Sequence, residues 1–520
     1  MFKVVDIFAG PGGLSEGFSS VKDAQGQPAF DVALSIEKES NAHETLTLRA
    51  FVRSFPNRPP DDYYRFLRRE LDIDTLYARH PTEAERARHV CWLAELGSPA
   101  ITLQTVRQRV RDAIGNAENW VLIGGPPCQA YSLAGRSRNK GVSGYDPAAD
   151  ARQRLYVEYL QILADHRPAV FIMENVKGLL SATLQSEHIF RRILSDLRTP
   201  AAALTREGRP ALISDDGVYR IYSLVSPQLF EDGEVEGSVV RAERYGVPQS
   251  RHRIILMGIR NDLASISPRV LTPHREVYAS EVLGSLPPVR SGLSREPDSP
   301  VAWLRALHSQ VDASWATGYH SEPHASQLGA TLRKYLASIE PPPYDRGAEY
   351  IPGSFRAPYA SEWYSDDRME GVCNHRTRAH MRSDLYRYMY AACFARVYSR
   401  TPALKDFPKE LLPTHTNVDS DHLDQATFAD RFRVQLGEKP ATTVVSHIGK
   451  DGHYYIHYDP AQCRSLTVRE AARLQTFPDN YLFCGSMTAQ YTQVGNAVPP
   501  LLARQIGEVV RDALRQVGGD

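Results

Sequence analysis

Short apolar runs that stop at glycine-rich or charged turns recur along the first half of the chain. Lys3 to Phe8, Asp31 to Glu37 and Val121 to Ile123 each have this form. Apolar runs bounded by turn residues and separated by helix-like segments are typical of buried strands in a parallel sheet. The pattern therefore predicts βαβ units, whose ligands gather at the carboxyl edge of the sheet.

The same alternation continues towards the middle of the chain. Apolar positions at Leu155, Tyr159 and Leu163 predict a helix, and Ala169 to Met173 reads as the next buried strand. Tyr245 to Arg260 reads as a loop followed by a strand rich in Ile and Leu. These elements extend the predicted α/β domain to about residue 270.

Two helices are expected near the C-terminus. Thr467 and Glu470 have capping-box spacing, and Pro478 ends the segment that follows. A second helix starts at Pro499 and Pro500, because proline suits a first helical turn. Its apolar face carries Leu502, Ile506, Val509, Val510 and Leu514.

Two regions lack this order. Leu271 to Tyr458 has proline clusters, many tyrosines and only short apolar segments, which predicts a separate irregular lobe. Asn41 to Asn119 is charged and helix-like; we expect a surface decoration, with contact to DNA or to a partner as the alternative. We divide the chain into 1–270 with an insertion at about 41–119, 271–489, and a return segment, 490–520.

Composition narrows the class of protein. The 520 residues are 42% hydrophobic and 23% charged, with mean hydropathy of −0.39, and we find no run of eighteen apolar residues. Six scattered cysteines and an N-terminus that begins directly with a strand favour a reduced, cytoplasmic protein without a signal peptide. A net charge of zero means that any nucleic-acid site must come from local clusters.

Cys128 is the first candidate for chemistry. It follows the strand and turn VLIGGPP, so its thiol lies at the carboxyl edge of the predicted sheet, where a nucleophile would meet a ligand. A buried structural cysteine is the alternative. Glu174 ends the strand Ala169 to Met173, where a carboxylate is costly unless it is paired or functional. The glycine turn after Phe8 could bind a nucleotide-like cofactor or serve packing alone.

Taken in order, the strings FAGPGG, PPCQ, ENV, QSRHR and GNAVPP resemble the motifs of DNA cytosine-5 methyltransferases of restriction-modification or phage-defence systems. The resemblance implies a Rossmann-like S-adenosylmethionine-dependent methyltransferase domain with a smaller inserted target-recognition domain. It also implies that Cys128 attacks the base at C6, that Glu174 donates to N3, and that Arg251 and Arg253 hold the base and its phosphate. The cytosine would be flipped out of duplex DNA.

The resemblance further implies a cofactor site for S-adenosylmethionine, which leaves as S-adenosylhomocysteine. Glu37 would accept the ribose hydroxyls, Phe8 would lie against the adenine, and the glycines would surround the amino-acid end. The full expected set is Phe8, Gly10, Gly12, Gly13, Leu14, Glu37, Pro127, Leu155, Asn496 and Val498. The acid that binds adenine in the family has no clear counterpart, because the sequence departs from the pattern between Asn41 and Asn119.

Double-stranded DNA is the implied partner, together with partner proteins of a defence system, in a bacterial cytoplasm where DNA binding associates the enzyme with the nucleoid. The expected DNA contacts are Gln129, Ser132, Arg136, Arg138, Gln249 and Thr443. The basic, aromatic segment Asn374 to Tyr388 could add a phosphate-contacting face. Cys373, His375 and His380 invite a zinc site, but no second ligand pair has suitable spacing, and we expect no metal and no membrane contact.

Two other functions stay open at this point. A tRNA cytosine-5 methyltransferase shares the chemistry, although such enzymes tend to lack a large recognition lobe. A noncatalytic DNA-binding or cofactor-binding regulator is the alternative from another class.

Overall fold

A computed structural model gives the architecture. It describes residues 1–56, 58–126, 151–181, 183–184, 187–213, 219–227, 229–230, 239–263, 265–317, 325–413, 430–450 and 452–517. Cys128 and the segment around it lie outside these residues.

We refer to the elements of residues 1–270 as the larger lobe. Its main elements are β1 (Phe2–Ile7), α1 (Gly13–Ser19), β2 (Phe30–Glu37), α2 (Ser40–Arg53), α3 (Asp61–Leu67), α4 (Ile73–Arg79), α5 (Pro81–Val90), β3 (Cys91–Leu93), α6 (Leu103–Ile114), β4 (Val121–Gly124), α7 (Ala151–His166), β5 (Val170–Val176), β6 (Thr183–Leu184), β7 (Glu187–His188), α8 (Ile189–Arg198), α9 (Pro200–Arg206), β8 (Tyr219–Ser223), β9 (Val239–Arg241), β10 (Gln249–Ser250) and β11 (His252–Arg260). The predicted strands are all present, with boundaries that differ from the prediction by at most three residues.

Eight of the described strands form one sheet, in the order β3-β2-β1-β4-β5-β11-β8, with β9 also pairing with β11. The first five strands are parallel, whereas β11 is antiparallel to β5, β8 and β9. Parallel strands joined by helices bury both faces of the sheet, which explains the nearly continuous apolar runs in the sequence. The expected Rossmann-like α/β fold is confirmed.

The remaining elements build a second lobe, which we define as residues 271–489, followed by the return to the sheet. They are α10 (Ala279–Leu283), β12 (Gly292–Leu293), α11 (Pro300–His308), α12 (Ser314–Thr317), α13 (Ala325–Ser338), β13 (Gly347–Pro352), α14 (Ser361–Tyr364), β14 (Gly371–Arg376), β15 (Ala379–His380), α15 (Arg382–Tyr398), β16 (Ala441–Thr442), α16 (Val468–Leu474), α17 (Met487–Asn496) and α18 (Pro500–Arg515). The domain boundaries given above stay predictions.

The two chain ends meet in the larger lobe, as expected. The last helix, α18, packs with α1 on one face of the sheet, and Phe18, Val509 and Leu502 share one buried core there. A Cβ on Gly17 would lie 2.4 Å from the Cβ of Ala503, so this helix pair requires glycine at the crossing. The opposite face is covered by α6, α7 and α8.

Buried arginines organise the second lobe around α16. The expected capping box is present, since Thr467 accepts from the Glu470 amide and Glu470 accepts from the Thr467 amide. Arg464 pairs with Glu470, and Arg473 pairs with Asp479, each within 3 Å. Each of these two buried guanidinium groups thus has a carboxylate partner, which a charge needs in order to stay in a core.

The insertion at 41–119 is not the surface decoration that we expected. Its β3 forms the edge of the main sheet beside β2, and its helices share a buried core with the second lobe. Tyr63 donates to the carbonyl oxygen of Asn480 at 2.6 Å, and Tyr64 donates to Asp366 at 2.7 Å. The insertion therefore packs against both lobes and connects them. Its charged sequence does not predict this role.

No helix in the part of the chain covered by the structure combines the length and the apolar character needed to cross a bilayer.

Candidate functional site

The turn after β1 has an unusual backbone. Phe8, Gly10 and Gly12 all have positive φ, at 56°, 58° and 94°. The turn is closed by a hydrogen bond from the Gly12 amide to the Ala9 carbonyl at 3.0 Å, and the Ala9 amide binds the Ile36 carbonyl in β2. The loop therefore lies against the carboxyl ends of β1 and β2, the expected place for a ligand.

The three expected loop glycines are required for different reasons. A Cβ on Gly10 would meet no described atom within 4 Å, so this position faces open space. A Cβ on Gly12 would lie 2.7 Å from Leu46, and one on Gly13 would lie 2.2 Å from the Val498 carbonyl oxygen. Gly10 is thus available to a ligand, whereas Gly12 and Gly13 allow close packing against the protein. Leu14, the next residue, is buried.

Glu37 ends β2 beside this loop. One carboxylate oxygen accepts from the Gly10 amide at 2.7 Å, and the other accepts from the amides of Lys38 and Glu39 at 2.8 Å each. These bonds fix the carboxylate while leaving acceptor capacity, since its two oxygens offer about four lone-pair sites. Three of these sites are used, so about one remains on the oxygen that binds the Gly10 amide, and it can accept from one hydroxyl group.

The strand β3 supplies candidates that sequence reasoning missed. Leu93 lies in register with Glu37 and is 49% exposed, although it is a large apolar residue. Glu95 follows on the same edge, and its carboxylate lies 3.2 Å from Lys38 Nζ. The only sequence signal was the short apolar triplet Cys91 to Leu93, which is too brief to stand out beside helices.

A buried acid, Asp6, lies next to the glycine loop at the end of β1. Asp6 of β1 is fully buried and accepts a hydrogen bond from Ser15 in α1. Burial raises the pKa of Asp6 to about 7, because desolvation penalises the charged carboxylate. Asp6 thereby connects the strand before the loop to the helix after it.

The C-terminal motif closes the other side of this site. Asn496 ends α17 with an exposed side chain, and Val498 is 8% exposed against Gly13. Leu155, in the first turns of α7, is partly exposed. Among the expected cofactor residues, the structure thus places Glu37 against Gly10 and Val498 against Gly13, while Pro127 lies outside the described residues.

A second cluster lies at the same edge, between β4, β5 and β11. Glu174 and Arg253 form an ion pair of 2.7 Å, and each side chain is 15% exposed. A Cβ on Gly125, three residues before Cys128, would lie 3.0 Å from Glu174 Oε2. The chain leading to Cys128 therefore passes directly over the Glu174 carboxylate.

The side chains of Arg251 and Gln249 are buried and bind protein groups, and neither lies on the protein surface. Arg251 is 2% exposed and donates to the carbonyl oxygens of Val444 at 2.8 Å and Gly495 at 3.4 Å. Burial and the nearby Arg253 lower the pKa of Arg251 to about 9. Gln249 is fully buried, donates to the Leu474 carbonyl and accepts from the Val444 amide. The side chains of Gln249 and Arg251 thus connect β10 and the residue after it to Val444 and Leu474 of the second lobe and to Gly495 of the C-terminal segment.

Thr443 lies beside these two residues at the junction of the lobes. Its hydroxyl donates to the Ser250 carbonyl at 2.6 Å, and β16 pairs with β10 next to it. Thr443 is partly exposed, whereas Val444 is buried. The remaining expected residues, Cys128, Gln129, Ser132, Arg136 and Arg138, lie outside the described part of the chain.

The basic segment Asn374 to Tyr388 is largely committed to internal bonds. Arg378 donates to the Ile448 carbonyl and stacks on Tyr491, while Arg382 pairs with Glu296. His375 contacts Thr467 and the Pro287 carbonyl, both at 2.9 Å. Within the described ranges, no three His, Cys, Asp or Glu side chains are arranged to hold a metal ion.

The chain is similar to known proteins over most of its length. The model of the C-5 cytosine-specific DNA methylase family matches residues 100–199 and 232–512. The type II methyltransferase M.Bpa9945I of Bacillus paralicheniformis is 31% identical over 533 residues, which cover 98% of this chain and 99% of the relative.

Two further relatives extend the comparison. The type II methyltransferase M.AgeI of Thalassovita gelatinovora is 26% identical over 98% of this chain and 100% of its own length. The DNA (cytosine-5-)-methyltransferase M.ApeKI of Aeropyrum pernix is 27% identical over 76% of this chain and 82% of its own. The similarity thus extends over both lobes.

Proposed function

Because this chain belongs to the C-5 cytosine-specific DNA methylase family and is a DNA cytosine methyltransferase, we propose how its residues perform the reaction. It transfers a methyl group from S-adenosylmethionine to C5 of a flipped cytosine in one specific duplex sequence. The names of its relatives support a role as the modification enzyme of a type II restriction-modification system. Its partner is double-stranded DNA in the bacterial cytoplasm.

The cofactor fits the first cluster. The open face of Gly10 gives space for the ligand, and the fixed carboxylate of Glu37 can accept from a ribose hydroxyl. On the β3 side, exposed Leu93 offers an apolar surface to the adenine, and Glu95 offers a carboxylate to its amino group. Phe8, Leu155, Asn496 and Val498 complete the site. When bound, S-adenosylmethionine supplies an electrophilic methyl group.

The protein must make C5 of cytosine nucleophilic, because the ring carbon is a poor nucleophile by itself. Cys128 as thiolate attacks C6 and forms a covalent bond, while the Glu174 carboxyl donates a proton to N3. Electron density then moves to C5, which takes the methyl group. Loss of the C5 proton to solvent, cleavage of the Cys128–C6 bond and return of the N3 proton to Glu174 regenerate the thiolate and the acid.

Arg253 assists at the base. Its guanidinium lies 2.7 Å from Glu174, so it can hold the carboxyl in place and direct its other N–H groups to the carbonyl at C2. Both side chains are mostly buried, and a low-dielectric site strengthens such interactions. Arg251 and Gln249 act one step away, since they position Val444 and thereby Thr443 beside the DNA.

DNA must open for this chemistry, because a stacked cytosine cannot offer C6 to a thiol. Extrusion of a base costs a few kcal/mol, which contacts to the opened duplex have to offset. Gln129 and Ser132 next to Cys128 support the flipped nucleotide, and Arg136 and Arg138 hold phosphates. The second lobe reads the target sequence.

The observation that carries this proposal is the Glu174–Arg253 pair lying under the chain that leads to Cys128, within a family match that covers both lobes. Bisulfite sequencing of DNA from methylation-free cells that express the protein tests it. We expect methylcytosine at one short recurring sequence with the wild type and none with Cys128→Ser. Cys484→Ser, which changes a partly buried thiol elsewhere, serves as the matched control and should preserve methylation.

Three results would contradict the proposal. Methylation that survives Cys128→Ser would exclude the covalent route. Methylcytosine in tRNA but not in DNA would indicate the RNA enzyme. A wild-type protein that binds DNA and S-adenosylmethionine yet leaves DNA unmethylated would be a regulator. Once the target is known, intact mass of the protein with a duplex that carries 5-fluorocytosine tests the adduct, since fluorine at C5 leaves no proton to lose.

A further inference from the structure

The glycine loop of the cofactor site is held from the second lobe as well as from its own sheet. Tyr481, which follows α16, donates its hydroxyl hydrogen to the carbonyl oxygen of Pro11. The Tyr481 side chain is 1% exposed, and the two residues are 470 positions apart in sequence. This buried contact crosses from one lobe to the other at the loop itself.

The loop needs such support. Phe8 has φ of 56°, a left-handed conformation that costs a residue with a Cβ roughly 1–2 kcal/mol. Strained backbone of this kind persists only where its surroundings fix it. Pro11 lies between left-handed Gly10 and Gly12 and has no N–H to donate, so its carbonyl is its backbone group available for anchoring.

Tyr481 is itself held in place. Arg469 donates to the Tyr481 carbonyl at 2.7 Å, and the Arg49 guanidinium lies 5.0 Å from the centre of the ring. Arg49 also binds both carboxylate oxygens of Glu16 in α1, at 2.8 and 2.5 Å. Burial raises the pKa of Tyr481 far above its usual value, so the hydroxyl remains a donor at neutral pH.

We propose that Tyr481 is a positioning residue for the cofactor. It fixes the Pro11 carbonyl and thereby the open face of Gly10 and the Gly10 amide that binds Glu37. Tyr481 acts through the loop and does not touch the cofactor. The inference rests on the proposed cofactor site and adds a residue of the second lobe to it.

Tyr481→Phe tests the inference because it removes only the hydroxyl. Calorimetric titration of the full-length protein with S-adenosylhomocysteine should show a Kd about three- to tenfold higher than in the wild type, which corresponds to one lost hydrogen bond. The KM for the cofactor should rise while the KM for DNA stays constant. The melting temperature is recorded for each variant.

Tyr364→Phe is the matched control. Its hydroxyl is equally buried in the second lobe and donates to the Arg473 carbonyl at 2.9 Å, away from the loop. We expect a similar loss of melting temperature and an unchanged Kd for S-adenosylhomocysteine. If Tyr481→Phe is recovered unfolded, Arg49→Lys replaces it; lysine keeps the charge near Glu16 but loses the planar group over the ring, so the Kd should again rise.

Two outcomes would overturn the role of Tyr481. One is a Tyr481→Phe variant with wild-type affinity for S-adenosylhomocysteine. The other is an equal loss of affinity in Tyr364→Phe, which would indicate general loosening of the lobe. The wild type is titrated first. If it binds no S-adenosylhomocysteine, the proposed cofactor site is wrong, and the role of Tyr481 is not what has failed.

Discussion

At the scale of single residues, Glu174 is the group whose chemistry is easiest to isolate. Its carboxylate is mostly buried and paired with Arg253 at 2.7 Å. In the proposed mechanism Glu174 has two tasks: it holds a proton for N3 of the base, and it keeps Arg253 oriented. Glutamine fills the same space and can still bind the guanidinium, but it cannot give up a proton to the base.

We therefore predict that Glu174→Gln lowers the single-turnover rate of methyl transfer by about 10²–10⁴, the usual contribution of a positioned acid. The Kd values for the cofactor and for DNA should change little. Rapid-quench measurement with enzyme in excess over labelled cofactor gives the rate directly, without interference from product release.

Glu243→Gln is the control for this variant. Glu243 pairs with His252, the residue before Arg253, at 2.8 Å, so it tests the loss of a neighbouring carboxylate charge. Its rate should match the wild type. An unchanged methyl-transfer rate in Glu174→Gln, or an equal loss of rate in Glu243→Gln, would show that Glu174 is not the acid.

At the scale of elements, the loop between β1 and α1 shows why one motif contains several glycines. Gly13 is needed because the Val498 carbonyl oxygen leaves no room for a side chain. Gly12 lies close to the Leu46 side chain and has a positive φ of 94°, while Gly10 has room but a positive φ of 58°. An alanine methyl at Gly10 would enter the space that we assign to the cofactor. Its effect should therefore fall on binding more than on folding.

Gly10→Ala is predicted to raise the Kd for S-adenosylhomocysteine by about five- to 150-fold, because overpacking typically costs about 1–3 kcal/mol. The left-handed backbone should lower the free energy of unfolding by only about 1–2 kcal/mol. Titration calorimetry and urea unfolding measure the two quantities separately.

Gly26→Ala provides the comparison. Gly26 lies in an exposed turn with φ of 76°, and a methyl group there would meet no described atom within 4 Å, so it carries the same backbone cost away from the site. Its affinity should equal that of the wild type. Equal binding by Gly10→Ala and Gly26→Ala would mean that the open face of Gly10 is not part of the cofactor site.

The long elements and the motif positions could be predicted from sequence because each has a local cause. Apolar runs predicted the strands β1, β2 and β5, and the capping box predicted α16. The three-residue strands β3 and β9 could not be found, since they exist only through pairing with β2 and β11. Likewise, the sequence motif around Arg251 could be recognised, but its hydrogen-bond partners could not be predicted, because Val444 and Gly495 are 193 and 244 residues away.

At the scale of the whole molecule, the two lobes differ in which titratable side chains they bury. Around α16, His375, His380 and His457 are fully or almost fully buried beside Arg464 and Glu470. Burial lowers their pKa values to about 4, 3 and 4, because a charged imidazole is poorly solvated there. In the described part of the larger lobe, burial raises the pKa values of Asp6 and Asp196 and lowers the pKa of His166.

The sign of the pH effect follows from these shifts. A histidine with a lowered folded pKa binds its proton more readily when unfolded, so stability falls as pH drops from about 6.5 towards 4. At pH 5.5 each of the three histidines should cost about 1–2 kcal/mol relative to pH 8. In the larger lobe, protonation of Asp6 as pH falls through 7 stabilises by about 2 kcal/mol and offsets His166.

We therefore predict that acidification from pH 8 to 5.5 weakens the second lobe selectively. Hydrogen exchange, corrected for intrinsic rates, should accelerate in peptides that cover β14 and α16 and change little in peptides that cover β1 and α1. His375→Gln should reduce the acceleration, because glutamine can keep a bond to the Pro287 carbonyl without titrating. Equal acceleration in both lobes, or an unaltered pH response in His375→Gln, would show that the buried histidines do not control acid stability.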